Sequence, residues 1–86
     1  MPEISRFFGI IIAMYYKEHA PPHFHAKYGG REASIRIDTG EVMDGDLGAR
    51  AARLVEEWRQ IHTSDLMTDW ELAQLRHPLN KIEPLE

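Results

Sequence analysis

The chain has 86 residues, a formal net charge of −4 and no cysteine. That length allows a single domain, residues 1–86, burying about 60–65% of the unfolded chain's surface, and it excludes two domains. Without cysteine there is no disulfide, thiolate metal ligand or cysteine nucleophile, so packing or a partner must hold the fold together.

Charge is unevenly spread. Residues 1–37 hold five Lys/Arg against three Asp/Glu, whereas residues 38–86 hold five against eleven. The first part also carries His19, His23 and His25. One end is thus suited to an anion or acidic partner and the other to a basic one.

The longest apolar run, Phe7–Tyr16, is about half the roughly 20 residues that span a bilayer. It is rich in strand-forming aromatics and is not followed by a small-residue cleavage site, so the expectation is a mature cytoplasmic protein with no membrane partner. Arg6–Lys17 is predicted to be one long strand, apolar on both faces, as in a strand covered on both sides. A chain this short has little material for two covers, which points to self-association or a protein partner.

Pro21 and Pro22 break the pattern, because neither can donate a backbone hydrogen bond. His23–Tyr28 and Arg31–Ile37 are then predicted to form a hairpin around Gly29-Gly30, since two glycines suit a two-residue turn. In the register where paired residue numbers sum to 59, Phe24 meets Ile35 and Ala26 meets Ala33 on one face. On the other face His23 meets Arg36, His25 meets Ser34 and Lys27 meets Glu32. A slip of one residue would destroy this agreement. Asp38–Glu41 is the next turn, with Val42 opposite Ile37 in a short last strand, Glu41–Asp44.

From Asp46 the apolar period changes to three and four. Leu47, Ala51, Leu54, Val55, Trp58 and Ile61 form an amphipathic stripe that continues through Leu66, Trp70 and Ala73. Asp44 or Asp46 is a candidate cap, and Glu56, Glu57, Arg59 and Gln60 fall on the wet side. The pattern predicts one long helix over residues 46–76, with a candidate kink at His62–Asp65 and an end at His77-Pro78. Ile82 and Leu85 are placed to pack back. The fold class is α+β: an antiparallel sheet of about four strands against one long C-terminal helix.

The spacing His19-x3-His23-x-His25 is the densest cluster of functional side chains. Residues i and i+2 of a strand point to one face, so His23 and His25 can aim at one atom, and His19 can fold over it. Three imidazoles with water as a fourth ligand make a candidate site for Zn²⁺ or another transition metal. His23 and His25 are also candidate acid–base groups, with Arg36 or Lys27 as an anion contact and Glu18 as a nearby carboxylate. The competing reading is a polar, solvated strand face with histidines capping carbonyls. His62 and His77 read as structural, and Trp58 and Trp70 as core.

The opening Met1–Ile10, the block His19-Ala20-Pro21-Pro22-His23-Phe24-His25-Ala26, the helix segment Leu54–Trp58 and the ending Lys81–Leu85 resemble a family of small bacterial proteins known only as a domain of unknown function. Its hallmark is the His-x-Pro-Pro-His-Phe-His segment. The resemblance implies a cytosolic protein encoded beside another small domain, in an arrangement like a toxin–antitoxin pair, and it carries no settled activity. Three functions follow for testing. The first is an interaction module that binds the small protein encoded next to it. The second is a histidine-based, metal-dependent hydrolase or RNase. The third is a nucleic-acid-binding regulator, against which the net acidity counts.

Overall fold

The computed structural model describes residues 2–86. Five strands are followed by one helix: β1 Glu3–Phe7, β2 Ile10–Ala13, β3 His23–Tyr28, β4 Arg31–Arg36, β5 Val42–Gly45 and α1 Ala49–Gln74. The strands form one antiparallel sheet in the order β1-β2-β3-β4-β5. This is the expected α+β class with one strand more than expected.

The extra strand comes from the first apolar run. Arg6–Lys17 is not one strand: Phe7 pairs with Ile10 across a tight turn at Phe8-Gly9. Both turn residues have positive φ, 50° and 81°, as a two-residue hairpin turn requires. A glycine adopts this freely, but a phenylalanine does so only with strain. The aromatic at Phe8 therefore hid the turn, and its side chain is 52% exposed. The hairpin shortens the run that is apolar on both faces to β2, whose outer face keeps Ile11 and the fully buried Ala13. Ile10 and Ile12 of β2 are fully buried, while Ile11 on the other face is partly exposed.

The β3–β4 hairpin has the expected register throughout, from His23 opposite Arg36 to Tyr28 opposite Arg31. Phe24, Ala26, Ala33 and Ile35 join Phe7, Ile10 and Ile12 in the buried layer under the helix. The last strand differs from expectation. Val42 lies opposite Ile35, not Ile37, and Met43 is an extra residue in a bulge. The turn is wider than a two-residue tip because Arg36 N–H donates to the Glu41 carbonyl (2.9 Å) and Gly40 N–H to that of Arg36 (3.0 Å).

Trp58 anchors the helix. It is fully buried, with its ring 5.4 Å from Phe7 and 5.9 Å from Phe24 between centroids. Its indole N–H donates to the Glu83 carbonyl (2.8 Å) and Ile82 N–H to that of Ile4 (2.8 Å), so the tail packs back along β1 as expected. The helix is kinked where expected, with His62 in a non-helical conformation (φ −115°, ψ 24°). Beside it Thr63 Oγ1 donates to the Arg59 carbonyl (2.7 Å), the back-bonding that bends helices. The buried positions keep one helical period across the kink, through Val55, Trp58, Leu66, Trp70 and Ala73, and Ile61 falls off that stripe, 64% exposed against expectation.

Three other expectations are corrected. The helix begins at Ala49 without a side-chain cap, and Asp46 accepts the Gly48 N–H (2.9 Å) from outside it. It ends at Gln74, because Arg76 takes a left-handed φ of 58° and His77 N–H turns back to the Leu72 carbonyl (2.9 Å). Arg59 is not on the wet side. It is 7% exposed, donating to the Ile37 carbonyl (2.8 Å) and pairing with Glu56 (2.7 and 2.8 Å), and so ties helix to turn. No helix among the described residues is long and apolar enough to cross a membrane.

Candidate metal centre

Residues opposite one another in the sheet share a face. Across β2, β3 and β4, Ala13, His25 and Ser34 form one row on the face away from Phe24 and Ala26. His23 and His25 are adjacent on that face, their rings 5.3 Å apart. Both are nearly enclosed, at 7% and 8% exposure. Trp70, reaching over from the second half of α1, lies 5.3 Å from the His23 ring, and Tyr15 lies 4.6 Å from that of His25.

The connection from β2 to β3 supplies the third group. Lys17 takes a positive φ of 58°, and Gln74 Nε2 donates to the Glu18 carbonyl (3.4 Å). Glu18 Oε1 then lies 2.7 Å from His25 Nε2 and 3.3 Å from His23 Nε2. Among the described residues, Glu18, His23 and His25 are the group of three whose ligand atoms lie within 4.8 Å of one another.

The hydrogen bonds decide which nitrogens are available. A carbonyl can only accept, so the 2.8 Å contact from His23 Nδ1 to the Pro21 carbonyl places a proton on Nδ1. Neutral His23 then presents a bare lone pair on Nε2, 3.3 Å from a carboxylate oxygen. Two acceptors facing each other repel. Only a proton on Nε2 or a cation between the two reconciles them. His25 donates through Nε2 to Glu18, and its Nδ1 meets Ser34 Oγ at 3.2 Å and Glu32 Oε2 at 3.6 Å.

This donor set suits a first-row divalent ion. Two imidazoles and one carboxylate with open positions are a known catalytic pattern for zinc and non-haem iron. The Pro21 carbonyl and the Ser34 hydroxyl are the outer partners that orient ligating histidines. Tetrahedral bonds of about 2.0–2.1 Å put donors roughly 3.3 Å apart. The Glu18–His23 pair already meets this, whereas the Glu18–His25 hydrogen bond at 2.7 Å has to lengthen.

The expected site is thus brought together in part. His23 and His25 converge, but His19 is exposed and outside the group, its place taken by its neighbour Glu18. Arg36 sits opposite His23, yet its guanidinium is bound to both carboxylate oxygens of Asp38 (2.8 and 2.9 Å). That pair holds Asp38 below the usual carboxylate range and raises Arg36. Arg36 therefore does not serve as a free anion contact. Lys27 pairs in register with Glu32 on the same face. Of the other histidines, His62 lies against Trp58 (5.5 Å) and Asp65 (3.0 Å), and His77 is exposed.

No curated protein and no solved structure matches the chain. A family model does, over residues 9–71, a span that holds Glu18, His23, His25 and Ser34. The chain belongs to the family described as a domain of unknown function, DUF4160.

Proposed function

We propose that the protein is a metal-dependent hydrolase whose centre is Glu18, His23 and His25, with an anionic ester such as RNA or another phosphoester as its substrate class. One observation carries this reading: His23 Nε2, whose ring partner Nδ1 is held by the Pro21 carbonyl, faces a carboxylate oxygen across 3.3 Å in a nearly enclosed site. A bound Zn²⁺-like ion would supply Lewis acidity and lower the pKa of a coordinated water to near 7. The chain's own residues do the rest. The Pro21 carbonyl fixes the tautomer of His23. Ser34, which can donate or accept, supports His25 whether its Nδ1 or its Nε2 carries the proton. Trp70 and Tyr15 flank the two rings and restrict water.

The reading as half of a two-protein unit rests on a shorter strand than expected, since the doubly apolar run folds as a hairpin and β2 alone of its two strands is apolar throughout.

The test is a calorimetric titration of tag-free protein with Zn²⁺ and with Fe²⁺, paired with an RNA cleavage assay. A single ion should bind per chain. Glu18→Gln and His23→Ala should each weaken binding by about 100-fold or more and abolish cleavage, while His19→Ala leaves both unchanged. Absence of saturable binding by either ion overturns the proposal.

A further inference from the structure

The two edges of the sheet are finished differently. The tail lies along β1, whereas all four residues of β5 are exposed. Val42 and Met43 are large apolar residues left 48% and 42% exposed on that edge. Beside them a cleft of about 290 Å³ opens between the sheet and the first half of α1. Its floor is apolar and low, built from Ala33, Ile35, Ala52 and Val55. Its rim is acidic, with Glu41 and Asp46.

Residues 38–46 hold Asp38, Glu41, Asp44 and Asp46 and no Lys or Arg. Asp38 is bound by Arg36, and Asp46 only approaches Arg31 at 3.9 Å. Glu41 and Asp44 bracket Val42 and Met43 with no ion-pair partner among the described residues. A second copy laid antiparallel on this edge would set Glu41 and Asp44 against their own kind, which disfavours the symmetric dimer. The bulge at Met43 also interrupts a long flat ladder.

We infer that this edge and cleft dock a basic segment of a partner protein, one aliphatic side chain entering the cleft and flanking Lys or Arg side chains meeting Glu41 and Asp44. The surface uses none of the metal donors, so it stands or falls apart from the metal centre.

The experiment titrates ¹⁵N-labelled protein at low salt with a short peptide of alternating lysine and leucine. The same peptide with glutamate for lysine is the control. The lysine peptide should shift the amides of Val42, Ala52 and Val55. Glu41→Lys combined with Asp44→Lys should weaken it by about tenfold, as expected for two lost ion pairs. Ala52→Leu, which fills the cleft from a half-buried position on the helix flank, should weaken it by about fivefold without removing charge. Equal binding to wild type and both variants, equal binding of the glutamate peptide, or shifts confined to other surfaces overturn the inference. So does a dimer through β5 in sedimentation velocity, which would make the occupant a second copy.

Discussion

Strand β3 has two faces that obey different rules. Toward the helix, Phe24 and Ala26 are fully buried against apolar neighbours and make no polar demand. Away from it, His23 and His25 are almost as enclosed, yet every ring nitrogen faces a polar atom. Burial alone does not distinguish core from site. The distinction lies in the partners. The core face is satisfied by shape, and a missing atom there costs contact energy. On the histidine face one contact, His23 Nε2 to Glu18 at 3.3 Å, is completed only by a proton on that nitrogen or by a cation between the two. That single contact is what separates a candidate centre from a solvated strand.

Substitutions on each face break this comparison in opposite ways. The largest effect is expected from Trp58→Ala, which removes the ring between Phe7 and Phe24 and the bond that holds the tail at Glu83. It should cost about 3–5 kcal/mol in urea unfolding. A chain this small has little more than that to lose, so the variant is expected to be largely unfolded at 37 °C. A loss under 1 kcal/mol would show that the helix is not anchored there. On the other face Ser34→Ala should leave the unfolding midpoint within about 0.5 kcal/mol, because Glu32 also stands near His25 Nδ1. Its effect should appear in zinc affinity, reduced by about tenfold as for other outer partners of ligating histidines. Stability falling while affinity stays constant would make Ser34 part of the scaffold.

The sequence made these faces legible unevenly. The β3–β4 register could be read because alternation, opposite charges and two turn glycines all agreed. The first hairpin could not, because its turn contains Phe8 in a conformation that glycine or asparagine normally marks. Arg59 and Ile61 depart from expectation because residue type misleads at the edges of the stripe: Arg59, four residues after Val55, lies on the buried side, and Ile61 lies on the exposed side. In the site, spacing along β3 placed His23 and His25 together correctly. The choice between Glu18 and His19 depended on the backbone path through Lys17, and neighbouring loop residues point different ways with no period to reveal it. Glu18 is legible as a nearby carboxylate, while the spacing of the three histidines is equally compatible with His19 as the third ligand.

The smallest effect concerns a polar group buried on the core side. Asp69 is fully buried in α1. One carboxylate oxygen accepts the Asn80 N–H (2.9 Å), and the other has no hydrogen-bond partner. Burial raises its pKa above the ordinary aspartate value of 3.8, partly offset by the Asn80 bond and reinforced by the charge of Asp65. A carboxyl whose folded pKa lies above its unfolded value keeps its proton longer in the native state. Its contribution to stability is therefore greatest below 3.8 and declines as pH rises through the elevated folded value. Asp69→Asn keeps an acceptor for Asn80 and cannot ionise. The stability difference, variant minus wild type, should grow in favour of the variant as pH rises from about 4 toward neutral. Urea midpoints at several pH values measure this directly. A difference that is flat with pH would mean that water reaches the second oxygen, and the core face would then tolerate a wet polar group much as the histidine face does.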